Sequence, residues 1–320
     1  MRSTATTAKY ATPEVGGSFT EREVRQIDRA NASERQPVIF IHGLWLLANS
    51  WERWAAVFED AGYVALTPGW PDDPEHVEQA RANPDALAGQ TVGRVTAHME
   101  AVIGGLEMKP AVIGHSLGGL FAQMIAGRGH SAVSVAIDPV AFRGVLPLPL
   151  ATLKSALPVL RNPANRGRAV SLNWDEFRYG WANALDEDEG RELHRIFHVP
   201  GPGVPLFQAA MANLNPWSEA KVDTKSADRG PLLVISGEKD HTIPPVLARA
   251  AFKKQRRNPG VTEFTEVPHR GHSLTIDNGW REVAEKALAF VRRFAAPSRT
   301  AREARLTEVS NERASTASGA

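Results

Sequence analysis

The chain has 320 residues, 42% of them hydrophobic and 23% charged, and a formal net charge of +1. This is ordinary globular composition, long enough for one large α/β domain with an insertion, and its global charge gives no reason to expect nucleic acid or acidic membranes as partners. With no cysteine, disulfides, cysteine nucleophiles and thiolate metal sites are excluded.

Residues 1–16 are small, polar and aperiodic, which predicts a disordered tail. The start lacks the apolar core of a secretion signal, and no later segment approaches the ~20 apolar residues of a membrane span. A cytoplasmic protein with no membrane span is the expectation. Short apolar runs then begin at Val38 (VIFIHG), Tyr63 (YVALTP), Ala111 (AVIGHS), Ala132 (AVSVAID), Pro231 (PLLVISG) and Val261 (VTEFTEV). Their unbroken apolar character suits strands buried on both faces of a parallel sheet. Helical patterns lie between them, over 50–61, 92–106, 117–128, 246–257 and 279–295. The alternation predicts an α/β fold with a mostly parallel central sheet and flanking helices.

The segment 143–229 breaks this rhythm with proline-punctuated pieces rich in large apolar residues. It is read as a helical lid inserted between the fourth and fifth strands, dividing the core into 17–142 and 230–296. From Pro297 to the end the chain is again polar and aperiodic, a second expected tail over 297–320.

Three motifs fall at strand ends. Gly114, Ser116 and Gly118 form G-x-S-x-G between a strand and a helix. A serine on so sharp a turn is lifted from the sheet, and the helix behind it aims free N–H groups at developing negative charge. A hydroxyl is a poor nucleophile unless a base takes its proton, and the base needs an orienting acid. LLVISGEKDHTIPP supplies Asp240 and EFTEVPHRGHSL supplies His272, each just after a strand. Gly271 favours His272 over His269 by letting the backbone bring the ring forward. Asp138 and Glu238 compete with Asp240 for the acid; His241 is read as a surface neighbour. A metal site on His269 and His272 lacks an acidic ligand at useful spacing, so no metal is expected.

In FIHGLW, the Leu44 N–H and the N–H of Leu117 are the expected oxyanion donors. His42 and His115 are read as structural. Trp45 beside that loop, and Trp174, Phe177, Trp181 and Trp217 in the lid, are candidate walls of an apolar substrate pocket. The cluster KKQRR at 253–257 is read as a solvated helix end. No P-loop or G-x-G-x-x-G follows a strand, so no nucleotide cofactor is indicated, and none of any kind is expected.

With HGLW, GHSLGG, GEKDHTIP and RGHS in this order, the chain resembles the α/β-hydrolase superfamily over about Pro37 to Ala295. The likeness is to its lid-bearing branch of lipase-like esterases and cofactor-free haloperoxidases. The resemblance implies Ser116 as nucleophile, His272 as base and Asp240 as acid. Its members usually open with a strand hairpin, for which Arg22 to Asp28 is the one weak candidate here. The activity implied is hydrolysis of small esters with apolar groups. Other Ser-His-Asp chemistry, by a perhydrolase or a C–C bond hydrolase, and a small-ligand receptor remain alternatives on the same fold.

Overall fold

In the computed structural model, which describes residues 19–298, all six apolar runs become strands of one sheet. In chain order the elements are α1 (Glu21–Ala32), β1 (Pro37–Ile41), α2 (Glu52–Asp60), β2 (Val64–Leu66), α3 (Val77–Ala82), α4 (Val92–Gly104), β3 (Ala111–His115), α5 (Leu117–Gly127) and β4 (Val133–Ile137). Then follow α6 (Leu150–Leu160), β5 (Ala169–Val170), α7 (Trp174–Gly180), α8 (Glu187–Phe197), β6 (Gly201–Pro202), α9 (Gly203–Ala210), β7 (Leu232–Gly237), α10 (Pro245–Gln255), β8 (Thr262–Val267) and α11 (Trp280–Phe294). The sheet runs β2-β1-β3-β4-β7-β8, and all its pairings are parallel.

Successive residues of β1 serve opposite faces, as strand geometry requires. Val38 and Phe40 join Trp54, Phe58 and Val291 of α2 and α11; Ile39 and Ile41 join Met99, Leu120 and Phe121 of α4 and α5. Both faces are covered, so the strands read as continuous apolar runs rather than as alternation. Between β4 and β7 lie α6 to α9 and the two-residue antiparallel pair of β5 with β6, a pair that no periodicity announces. Among the described residues, no helix is long and apolar enough to cross a membrane.

Two expectations are corrected. Arg22 to Asp28 belongs to a helix, not to a strand hairpin. Thr20 and Glu23 form a reciprocal capping box at the start of α1, and the T-E-R-E sequence carries that signal. The helix lies along the edge strand: Arg29 donates to the Ala65 carbonyl (2.7 Å), and Gln26 Oε1 accepts from the Thr67 N–H (3.1 Å). An edge that would otherwise expose backbone groups is thereby covered by side chains. At the other end, Pro297 accepts from the Gln36 N–H (2.9 Å), so the expected tail begins two residues inside described structure. The rest of that segment and the expected tail at 1–16 lie outside the described residues.

Glu23 also joins α1 to α4, its Oε1 lying 2.9 Å from His98 Nε2 with both side chains buried. Burial pushes the Glu23 carboxyl up, but the bonds and charge of His98 and the Thr20 bonds outweigh it and hold it below the ordinary carboxylate range. A depressed folded-state value stabilises the fold above the unfolded carboxylate pKa of about 4.3 and is lost as pH falls through the folded value. Replacing Glu23 by Ala is expected to cost about 3 kcal/mol near pH 7. Urea unfolding should give a gap between wild type and variant that narrows steadily below pH ~4.3.

Candidate active site

The C-terminal ends of β1, β3, β4, β7 and β8 all open on the same edge of the sheet, where ligands of open α/β sheets bind. Ser116 follows β3 with φ 58° and ψ −117°, a conformation costly for any residue with a Cβ. The elbow closes because its flanks have none: a Cβ on Gly114 would overlap the Gly118 carbonyl, and one on Gly118 would overlap that of Ile41.

His272 and Asp240 arrive from β8 and β7. The imidazole Nδ1 donates to Asp240 Oδ2 at 2.6 Å, which leaves the Nε2 lone pair facing the Ser116 hydroxyl at 3.0 Å. Asp240 Oδ1 accepts the N–H groups of Thr242 (2.7 Å) and Ile243 (2.8 Å), so this carboxylate is fixed before any substrate arrives. All three side chains are buried, and Trp181 stands edge-on to the His272 ring at 4.6 Å between centroids. Geometry therefore unites Ser116, Asp240 and His272 in one hydrogen-bonded chain.

The rivals separate. Glu238 lies near the surface, where it accepts the His269 N–H (2.7 Å), and His269 is itself exposed and shares no site with His272. His241 bonds the Tyr179 carbonyl instead of approaching the serine. Asp138, at the end of β4 with φ 39°, is buried, and its Oδ1 accepts the Gly237 N–H (2.8 Å). Burial and the neighbouring Asp240 push its carboxyl well above the ordinary range, which favours its neutral form. His115 beneath the elbow is held well below its ordinary value by burial and by His272, and stays neutral.

Leu117 follows Ser116 in the chain, and Leu44 follows Gly43, which packs against Ser116. Among the described residues, neither backbone N–H is engaged in a hydrogen bond outside regular helix and strand pairing. Gly43, which sequence reading passed over, is what lets the loop approach: a Cβ there would stand 2.8 Å from Ser116 Cβ. His42 bonds the Gly43 carbonyl and Asp73 Oδ2, each at 2.9 Å, and stacks on Trp70. The loop is also braced from outside the core. Trp45 sits at φ 65°, its indole N–H donates to the Val170 carbonyl (2.9 Å), and its own carbonyl accepts from Val199 (3.0 Å).

With this geometry in view, the comparisons with known proteins are direct. A family model for the alpha/beta hydrolase family matches residues 38–286. The chain belongs to the alpha/beta hydrolase family. Solved structures agree with this family in fold. A putative non-heme bromoperoxidase, BpoC, of Mycobacterium tuberculosis H37Rv superposes with TM-score 0.59 at 19% identity, covering 82% of this chain and 93% of that one. An esterase of Thermogutta terrifontis gives 0.56 at 17%, covering 82% and 91%. The monoacylglycerol lipase of Paleococcus ferrophilus gives 0.53 at 20%, covering 81% and 95%. A stretch of 89 residues is also 30% identical to 2-aminoethylphosphonate–pyruvate transaminase 2 of a Polaromonas species; it covers 27% of this chain and only 23% of that protein.

In this alpha/beta hydrolase Trp45 borders a small cavity with Gly43 and Leu44, while the aromatic residues of 143–229 expected to line a pocket pack otherwise. Phe177 stacks on Trp181, and Trp174 stacks on Phe177, building a column behind His272. Trp217 is 86% exposed. The apolar cavity of about 330 Å³ is lined by none of Trp45, Trp174, Phe177, Trp181 and Trp217; aliphatic side chains including Val140, Val145, Leu206, Ile243 and Leu247 form it. Two of its walls are tied to the site, since the Val140 N–H donates to the Ser116 carbonyl (3.1 Å) and the Ile243 N–H to Asp240.

Proposed function

We propose that this protein is a serine hydrolase that cleaves carboxylic esters bearing apolar groups through an acyl-enzyme. The observation that carries the reading is the continuous relay from Asp240 Oδ2 through His272 to Ser116 Oγ, with links of 2.6 and 3.0 Å. Ser116 attacks the ester carbonyl as His272 Nε2 takes its proton, and Asp240 holds the ring's tautomer and stabilises its positive charge. The Leu44 and Leu117 N–H groups receive the oxyanion. His272 then protonates the leaving alcohol, and water repeats the sequence to release the acid. Residues 143–229 act as the lid over this site.

The apolar group of the ester is assigned to the aliphatic cavity of about 330 Å³, a volume near the lower end for small-molecule sites. Each methylene buried there is worth about 0.8 kcal/mol, or roughly a fourfold gain in kcat/KM. A series of p-nitrophenyl esters should therefore rise by about that factor per carbon until the cavity is full. Stoichiometric labelling by a fluorophosphonate with negligible turnover across the series would replace the hydrolase reading with a receptor. Turnover only on addition of peroxide, acetate and bromide would replace it with a perhydrolase.

A further inference from the structure

We propose that the outer face of the insertion, formed by the turn before α6 and the turn after α9, docks onto an anionic lipid bilayer. Leu146, Leu150 and Trp217 are 76%, 83% and 86% exposed, and Leu148 and Leu214 are exposed with them. Single exposed leucines need no explanation, but a contiguous group of this size marks an interaction surface. Contiguity follows from the bonding between the two turns. Asn213 Oδ1 accepts the Gly144 N–H (2.6 Å), Asn213 Nδ2 donates to the Val145 carbonyl (2.7 Å), and Arg143 donates to the Pro216 carbonyl (2.8 Å). Leu146, Leu148 and Leu214 also border the same apolar cavity.

The L-P-L-P-L sequence over 146–150 suits burial among lipid headgroups and upper acyl chains. Pro147 and Pro149 carry no backbone N–H, so insertion strands fewer donors away from water.

Charge selects the occupant. Between Arg143 and Trp174 the chain carries Arg143, Lys154, Arg161, Arg166 and Arg168 and not one Asp or Glu. Arg161 approaches Glu176 at 3.7 Å, and Lys154 lies over the Tyr179 ring, whereas Arg166 and Arg168 are exposed. Glu219, the acid next along the chain from Trp217, is committed to the Gly93 N–H (2.6 Å). A leucine-rich face on a segment that carries five cations and no acid, with Arg143 bonded across its two turns, matches an anionic bilayer, which offers hydrocarbon and negative charge together. A second copy of the chain fits less well, because a twofold pairing would set the same cations against one another. The whole-chain charge of +1 conceals this local excess.

The test is co-sedimentation of the full-length protein with vesicles of phosphatidylglycerol mixed into phosphatidylcholine, against phosphatidylcholine alone. The mixed vesicles should bind at least ~10-fold more tightly, and about 1 M salt, which cuts the screening length to roughly 3 Å, should remove most of that preference. Leu150→Asp should lower binding about 10-fold. Leu150 is the first residue of α6 and lies outside the cavity walls, so an acid there favours the helix dipole and leaves folding and hydrolysis of a soluble ester unchanged. No binding, or equal binding to both vesicles that Leu150→Asp does not alter, overturns the proposal. So does a dimer in light scattering that Leu150→Asp converts to monomer, which would give the face to a second copy. Because binding is read without turnover, failure here leaves the hydrolase reading standing, and loss of turnover alone leaves the docking standing.

Discussion

Ser116→Ala is expected to lower kcat for a p-nitrophenyl ester by on the order of a million-fold, down to the residual rate supplied by the oxyanion donors and substrate binding. The variant keeps the elbow. Alanine needs the same positive φ of 58° as serine, so the strain is unchanged, and the flanking glycines still permit the turn. What disappears is the oxygen 3.0 Å from His272 Nε2. Thermal unfolding should match wild type while fluorophosphonate labelling vanishes. A variant that kept most of its activity would move the nucleophile away from Ser116.

The second large effect separates two buried aspartates on neighbouring strand ends. Asp240→Asn should reduce kcat by about ten-thousand-fold, because an amide in place of the carboxylate favours the wrong imidazole tautomer. Asp138→Asn should change kcat by less than about tenfold, since the side chain already acts as a neutral group that accepts from Gly237. Its effect should appear in stability. A carboxyl raised in the folded state, here by burial and by Asp240, binds its proton more tightly folded than unfolded. Stability then declines as pH rises above the unfolded value of about 3.9 and continues to decline up to the folded one. Asn carries no such penalty, so the variant should gain on wild type as pH is raised from about 4 to 8, measured by urea unfolding. A ten-thousand-fold loss of kcat in Asp138→Asn with little loss in Asp240→Asn would transfer the acid's role to Asp138.

How much of this was legible in the sequence depended on whether the signal was local. The elbow glycines are demanded by backbone packing within five residues, so G-x-S-x-G could be read directly. Five of the six strands are buried along their whole length and therefore appear as apolar runs, whereas the edge strand β8 is half-buried and mixes Glu with apolar residues. The capping box of α1 was equally local, but the expectation of a hairpin drew attention away from Thr20 and Glu23. Choosing Asp240 over Asp138 was harder, because both follow strands and differ only in which one meets the imidazole. The cavity walls were not legible at all. Aromatic residues in 143–229 look like pocket material in composition, yet Phe177 and Trp181 spend their surface on one another and on His272, and Trp217 faces water. Whether a leucine is core or surface is decided by the tertiary fold, so nothing local in the sequence marks Leu146 and Leu150 as exposed.

The bracing of Trp45 by Val170 and Val199 bears on engineering this scaffold. A chimaera that exchanges residues 143–229 for another cap, or trims them to a linker, removes both outside supports of the turn that presents the Leu44 amide. Replacing 143–229 alone would therefore disturb the loop packed against Ser116 as well as the insertion itself. The smallest portable unit is the cap together with the FIHGLW loop.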